Sequence, residues 1–534
     1  MSKKIVVISM LLVASIAMAI VPVSVRMRGL GPELVGIVDD EYSDLFFNPA
    51  YINRIYGNRV YTNLSNVHNL GEDLLFDPTY SPSMYYNLIG GITNIKENNV
   101  GAIIEMGGVE YDTTVESYSA SINGSNNNVD SMNYEYNMKN TDVVFNLFWG
   151  KKFSNFDIGA WVGPHLLNMH DNEKYTSKHY YYTNPDTIIS YTFDQQEMNY
   201  EAKTNAYPLM VGIVMGELEN EISINFTYGY DRIHGIVPVN FDSSDMFRKI
   251  RQLMPSYCDS FDNTHAKTKQ GGFYFALEGR NKRRYESHSL SYLARIVFVN
   301  QPITVNFSDS SYGYYSPAIG NRKEISTYTT QVSKGPMKHL EFGLGVGAEK
   351  YFDAMGAENM FAIGFLPFYF NVNTTIKVEP EKTHSYYYRN YPDTFEYTQD
   401  STSNETVEIK NTTSGFQFTI PVGLETNLTD RLVLRLGATQ NLTLKIKDVT
   451  EQTLTDGGCT RHYVSGTFDT TYTESANELD SYYSKEETKV SMANSTTYHY
   501  GIGYKINDNI ELNFLNFADL TNLKKWVLGV NIRF

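Results

Sequence analysis

The stretch that decides the fold closes the sequence: Trp526-Val527-Leu528-Gly529-Val530-Asn531-Ile532-Arg533-Phe534. Taken two at a time, Trp526, Leu528, Val530, Ile532 and Phe534 fall on one face, all large and apolar. Val527, Gly529, Asn531 and Arg533 fall on the other, mostly small or polar. A strand sends successive side chains to opposite faces, so this stretch has one greasy wall and one mixed wall. Chain ends usually fray and are polar. An edge strand of a soluble sheet is the plain alternative, and the rest of the chain has to decide.

The same alternation recurs upstream. Over 221–231, Ile222, Ile224, Phe226, Tyr228 and Tyr230 oppose Glu221, Ser223, Asn225, Thr227 and Asp231. Over 339–349, Leu340, Phe342, Leu344, Val346 and Ala348 oppose Glu341, Gly343, Gly345, Gly347 and Glu349. Over 415–425, Phe416, Phe418, Ile420, Val422 and Leu424 oppose Gln417, Thr419 and Glu425. Over 431–447, Leu432, Leu434, Leu436, Ala438, Leu442, Leu444 and Ile446 oppose Arg431, Arg435, Thr439, Asn441, Thr443, Lys445 and Lys447. A soluble sheet could alternate in this way. Charges along the minority face fit a polar lumen and a lipid-facing outside better, and the runs supply the roughly 9–11 residues a membrane-spanning strand needs.

The connections sort by parity. Short polar turns are expected at 96–99, 154–157, 217–221, 281–284, 352–359, 427–431 and 506–509. Long segments rich in Ser, Thr, Asn, Asp and Tyr lie between them, at 67–83, 119–132, 177–193, 236–267, 301–322, 379–402 and 453–485. Short turns at one rim and long loops at the other are the pattern of outer-membrane barrels, with the short side periplasmic. Parity gives about sixteen strands. Some, such as 195–217 and 404–427, are expected to run beyond the membrane, and the last strand is expected to pair with the first near Val60 to close the cylinder.

Composition agrees. The 534 residues contain 42 Tyr and 29 Phe but only 3 Trp, which suits strands and aromatic girdles. Mean hydropathy is −0.35, and no apolar run after the N-terminus reaches the roughly 20 residues of a spanning helix. Ser2-Lys3-Lys4, the apolar run 5–18 and Ala17-Met18-Ala19 read as a signal peptide cleaved after Ala19. No cysteine follows that site, so no lipoprotein anchor is indicated. A net charge of −16 argues against a nucleic-acid partner and fits acidic solvated loops. The two cysteines, Cys258 and Cys459, fall in expected loops, where a disulfide would persist in an oxidising compartment.

Residues 20–55 do not read as a strand. Arg28-Gly29-Leu30-Gly31, then Val35-Gly36-Ile37-Val38-Asp39-Asp40, then Leu45-Phe46-Phe47-Asn48-Pro49-Ala50 make a compact, turning segment suited to plugging something. This segment resembles the N-terminus of the long-chain fatty acid transporter (FadL-like) superfamily of outer-membrane barrels, including related type IX secretion barrels. In that superfamily a Gly-rich stretch, an Asp-Asp pair and an aromatic-Asn-Pro-Ala turn precede the first strand. The closing stretch 526–534 likewise resembles the C-terminal strand that the barrel-assembly machinery reads. The resemblance implies fourteen strands, a hatch carried by Asp39, Asp40, Phe47, Asn48, Pro49 and Ala50, and passage of hydrophobic solutes. Tyr51 stands where the family usually has Gly.

Two further groups of residues stand out. Asp242-Ser243-Ser244-Asp245 reads as a helix start, followed at helical spacing by Met246, Phe247, Ile250, Leu253 and Met254, with Pro255 ending the run. That would be a short amphipathic helix in an external loop, either collecting an apolar ligand or packing loops together. On the expected lumen face, Arg431, Arg435, Lys445 and Lys447 stand against Glu341, Glu349, Glu425 and Glu221. Opposed rows of this kind either set up a transverse field for polar solutes or pair with one another.

No catalytic signature appears. His170-Asp171 is the only His-acid neighbour pair, and neighbours on a strand point to opposite faces. No nucleophile elbow, zinc helix, phosphate loop or cysteine cluster occurs, no calcium-ligand spacing is found, and no cofactor is implied.

The expectation is therefore an all-β, transmembrane antiparallel β-barrel of about 14–16 strands: 1–19 a signal peptide, 20–55 a plug, and 56–534 the barrel with long external loops. It would lie among outer-membrane lipids and pass small hydrophobic or amphipathic solutes. The alternatives are a secretion-associated barrel that binds exported proteins through its loops, and a general polar porin.

Overall fold

The computed structural model describes residues 23–65, 86–123, 126–184, 187–217, 220–228, 243–254, 258–270, 273–315, 322–354, 357–390, 395–465, 468–475, 483–488, 491–515 and 527–534. The expected signal peptide, Lys525 and Trp526 lie outside them. The strand segments in chain order are β1 (Arg59–Ser65), β2 (Tyr86–Ile95), β3 (Asn98–Asn123), β4 (Asn126–Lys152), β5 (Phe156–Val162), β6 (His165–Asn184), β7 (Thr187–Ala206) and β8 (Leu209–Glu217). There follow β9 (Asn220–Tyr228), β10 (Ser243–Met254), β11 (Cys258–Gln270), β12 (Phe273–Arg284), β13 (His288–Tyr315), β14 (Arg322–Ala354), β15 (Ala357–Asn390) and β16 (Phe395–Asn427). The last are β17 (Leu432–Ser465), β18 (Phe468–Ser475), β19 (Tyr483–Thr488), β20 (Ser491–Asn507), β21 (Ile510–Leu515) and β22 (Val527–Arg533).

All pairings are antiparallel, and they form one closed wall. At the level of the short turns the order runs β1, β2, β3, β4, β5, β8, β9, β12, β13, β14, β15, β16, β17, β20, β21, β22, giving sixteen strands. Sixteen by parity is therefore correct, and the fourteen implied by the family resemblance is not. The seam is where the alternation placed it. β22 pairs β1 from Arg59↔Arg533 through Val60↔Ile532 to Ser65↔Val527. Two backbone bonds finish the closure, Asn58 N–H to Phe534 O at 3.0 Å and Phe534 N–H to Asn58 O at 3.2 Å.

The two-residue period becomes two different surfaces. Leu209, Val211 and Met215, Ile222, Ile224 and Phe226, Leu340, Phe342, Leu344 and Val346, and Phe361, Ile363 and Phe365 point outward. Each is between 36 and 54% exposed. Their alternates, including Met210, Val214, Glu221, Ser223, Asn225, Glu349, Met360 and Ala362, are buried inside. The result is an apolar outer belt around an interior that is ionic in part.

At the opposite rim the expected long loops are largely strand where they are described; 67–83 lies outside the described residues. β13 to β17 run 28, 33, 34, 33 and 34 residues, several times the roughly 9–11 a spanning strand needs. Polar Thr- and Tyr-rich sequence lacks the alternation used to recognise strands, yet those residues favour extended backbone and find partners across each hairpin. The stretch expected as an amphipathic helix is corrected in the same way. β10 pairs with β7 and β11 instead. In a strand successive positions alternate, so the helical spacing of Met246, Phe247, Ile250, Leu253 and Met254 no longer gathers these positions on one face. Cys258 and Cys459 lie on β11 and β17, with β13, β14, β15 and β16 between those two strands in the wall.

One expected turn moves. Asn281–Arg284 is the end of β12, and the chain turns at Tyr285-Glu286-Ser287. That shift sets the geometry of the site below.

Candidate functional site: a plug latched across the lumen

Residues 23–55 fill the short-turn half of the barrel. Local capping shapes them first. Helix α1 (Val25–Leu30) starts at Ser24, whose hydroxyl accepts from Met27 N–H. Helix α2 (Glu41–Phe47) starts at Asp40, whose carboxylate accepts from Ser43 N–H at 2.9 Å. The 3₁₀ turn Pro49–Arg54 starts at Asn48, which accepts from Ala50 N–H at 2.9 Å. These are the side chains that satisfy orphan amides at helix starts. Gly31 and Gly36, at φ 121° and 83°, turn the chain between them.

The plug then packs mainly in two large apolar groups. Met27, Leu30, Leu34, Ile37 and Val38 cluster with Met360 and Ala362 of β15. Tyr42, Leu45, Phe46 and Ile52 cluster with Tyr61, Leu88, Ile92, Ile103, Phe148, Trp161 and Met210 of the wall. Inward glycines let the backbones meet. A Cβ at Gly347 or Gly364 would lie 2.5 or 2.6 Å from Ile37, and one at Gly423 would lie 2.6 Å from Leu34. The small residues opposite the apolar ones in the alternation thus make room for the plug.

The polar half is a lattice of buried ion pairs. The inward row Arg280, Lys282 and Arg284 of β12 reaches the plug. Arg280 binds Asp44 at 3.0 Å, Lys282 binds Asp39 at 2.7 Å and the Ile37 carbonyl at 2.7 Å, and Arg284 binds Asp39 at 3.0 Å. Glu221 on β9 is fully buried and collects four donors: Arg280 at 3.1 Å, Arg284 at 3.2 Å, Tyr51 Oη at 3.0 Å, and Arg54. The Arg280 guanidinium lies 4.5 Å from the Tyr51 ring centroid and 5.1 Å from that of Phe47, both within cation–π range. Tyr51, where the resembling family usually has Gly, therefore ties this segment to the barrel wall.

On the far side Arg26 binds Glu425 at 2.9 and 3.1 Å, and at the seam Arg59 binds Glu41 at 2.9 and 3.2 Å. Asn48, Asn53 and Asn225 add contacts to backbone carbonyls, among them Ile213, Ile158 and Phe47.

Burial pushes the Asp39 carboxyl up, but Lys282 and Arg284 beside it win and hold it well below the usual carboxylate range. For Asp44 burial wins instead and, with the nearby Asp39 and Asp40 carboxylates, pushes it up to about 6 against the pull of Arg280 and Lys282.

The residues expected from sequence divide clearly. Asp39, Asp40, Phe47, Asn48, Pro49 and Ala50 all sit in the plug. Glu221, Glu349, Glu425 and Arg435 point into the lumen and pair: Glu349 with Lys282 at 3.4 Å, and Arg435 with Glu425 at 2.6 Å and Glu511 at 2.9 Å. Glu341 pairs with Arg295 at 3.2 Å. Pairing, rather than opposed rows, is what these groups do.

Two charges leave the expected stripe. Arg431 is exposed in the turn before β17. Lys445 stays inward, bound to Asp448 at 3.1 Å. A bulge between Ser414 and Gly415 then pairs Gly415 with Lys445 but Ser414 with Lys447, putting Lys447 on the opposite face. Sequence reasoning missed Arg26, Asp44, Arg54, Arg280, Lys282 and Arg284. The available signal was Arg280-x-Lys282-x-Arg284, a period-two row of cations that was read as a turn.

Among the described residues no group of three or more His, Cys, Asp or Glu could hold a metal ion, and no helix is long and apolar enough to cross a membrane.

No protein-family model and no curated relative matches the chain. Among solved structures it is similar to the ferripyoverdine receptor of the outer membrane of Pseudomonas aeruginosa bound to ferripyoverdine, at 7% identity and a TM-score of 0.17, over 90% of this chain and 72% of that one. It is also similar to the siderophore receptor PirA from Acinetobacter baumannii, at 8% identity and a TM-score of 0.17, over 90% and 80%. Likeness at that level carries no argument, so the functional reading rests on the barrel and its plug.

Proposed function

We propose that this chain is a gated outer-membrane conduit, in which residues 23–55 seal the barrel and are displaced to let small hydrophobic or amphipathic solutes through. The observation that carries the reading is the latch. The plug is held by buried ion pairs and close glycine contacts, and among the described residues it adds no strand to the wall. Buried ion pairs stabilise less than apolar packing of the same volume, and their best-attested use is in registry and switching. The outward apolar belt supports the membrane location, and the resemblance of residues 28–50 supports an apolar body in the solute. Efflux from liposomes tests the reading: a purified barrel should release an entrapped amphipathic dye when the latch is broken by substitution. Retention by a folded, latch-broken barrel would refute it.

A secretion-associated barrel is the second reading, favoured by one observation. β13 to β17 rise far beyond any membrane and form a tall sheet suited to holding an exported protein. Exported proteins co-purifying with the full chain, and lost when the upper sheet is trimmed, would favour it.

A further inference from the structure

A cavity of about 490 Å³ lies between the plug and the seam strands, and its lining reaches the β20–β21 turn at Asp508 and Asn509. A single water occupies roughly 30 Å³ of liquid, so this space is sized for a small molecule rather than one bridging water. Two of its wall groups have no hydrogen-bond partner among the described residues. Tyr61 is only 5% exposed and its buried hydroxyl is unpaired, and the Asn531 Oδ1 beside it in the ladder is an unpaired acceptor. Buried polar atoms are normally satisfied, so the pair marks a place where something else belongs.

The rest of the lining says what that is. Three tyrosines border the space, Tyr42, Tyr61 and Tyr351, the first two with ring centroids 5.3 Å apart. Seven carboxylates line it against four Lys and Arg side chains. Five of those carboxylates are already committed, Asp39 to Lys282 and Arg284, Asp40 and Glu425 to Arg26, Glu41 to Arg59, and Glu511 to Arg435, which leaves Glu358 and Asp508 against Lys505 and Arg533. Aromatic faces and an orphan acceptor together favour a group that is cationic and rich in N–H donors.

We propose that this cavity binds the charged end of a small organic cation, an amine or guanidinium compound. The site faces the short-turn rim, past the plug, and so stands where a solute would leave the barrel. This deepens the conduit reading by naming an amphipathic cation as the solute, and it rests on that reading only for the direction of travel.

The test is calorimetric titration of the full folded chain in detergent with phenethylamine, set against phenylacetate, which carries the same ring and the opposite charge. Phenethylamine should bind saturably with one site per chain and phenylacetate should not. Tyr61→Phe should weaken the amine about tenfold through loss of a hydrogen bond to a charged group. Asp508→Asn, on a turn and remote from the packed plug, should also weaken it and serves if Tyr61→Phe fails to fold. No saturable amine binding, equal binding of the two probes, or unchanged affinity in both variants would overturn the proposal. Amine binding by a barrel that never conducts would leave the site standing and remove the conduit.

Discussion

Glu221→Gln is the sharpest perturbation of the latch. The carboxylate is fully buried and faces Arg54, Arg280 and Arg284, whose side chains are 14, 0 and 23% exposed. An amide keeps the volume and one acceptor but leaves three guanidiniums without their shared anion. Removing one partner of a buried pair costs about 3–5 kcal/mol, because the stranded charge stays desolvated. If that cost falls on the docked state alone, the docked-to-open ratio drops about 140- to 4,000-fold at roughly 1.4 kcal/mol per factor of ten. Single-barrel recordings in a planar bilayer read this as open probability, with folding checked by heat-modifiable migration on unboiled gels. Trypsin gives an independent readout, since Arg54 is protected when the plug is docked and should become cleavable. A folded Glu221→Gln barrel that stays closed and keeps Arg54 protected would show that the ion lattice does not hold the plug.

Other outcomes follow from the same geometry. Gly347→Val places methyl groups where Ile37 already sits and should loosen the plug by about 1–3 kcal/mol, seen as faster trypsin cleavage; an unchanged rate would mean the contact is not tight. Deleting Phe534 removes both backbone bonds to Asn58 and should reduce the folded, heat-modifiable fraction more than a loop deletion of similar size. Acidification acts in two windows. A carboxyl raised in the folded state, as Asp44 is, favours docking fully below its ordinary value near 3.8 and loses that contribution as pH rises through about 6. Asp39, held low, favours docking above 3.8 and loses its contribution only as pH falls below that value. The barrel should therefore stay sealed at pH 5 and loosen only well below pH 3.8; opening already at pH 5 would contradict this assignment.

What the sequence made legible follows from what alternation can encode. Apolar–polar alternation at 221–231, 339–349 and 415–425 identified lipid-type and lumen-type faces, and the 526–534 stretch located the seam near Val60. Turn parity gave sixteen strands. Where both faces are polar, as in 379–402, alternation is silent, and hairpins that are strand nearly to their tips read as loops. Residues 243–254 were misread for a related reason: Met246, Ile250 and Leu253 satisfy a helical spacing, but strands already flank the segment and supply its backbone partners. Isolated charges were the weakest signal. Arg280, Lys282 and Arg284 look like a polar turn until Asp39 and Asp44, more than 200 residues earlier, are placed opposite them. A bulge at 414–415, invisible in sequence, moved Lys447 off its stripe.

The central claim is that residues 23–55 close this barrel. Planar-bilayer conductance of the full chain against a chain lacking 20–47, each shown to be folded by heat-modifiable migration, tests it most directly. The account predicts a closed or rarely open full-length barrel and a stable, permanently conducting deletion. Equal conductance in the two, whether both open or both closed, would contradict it.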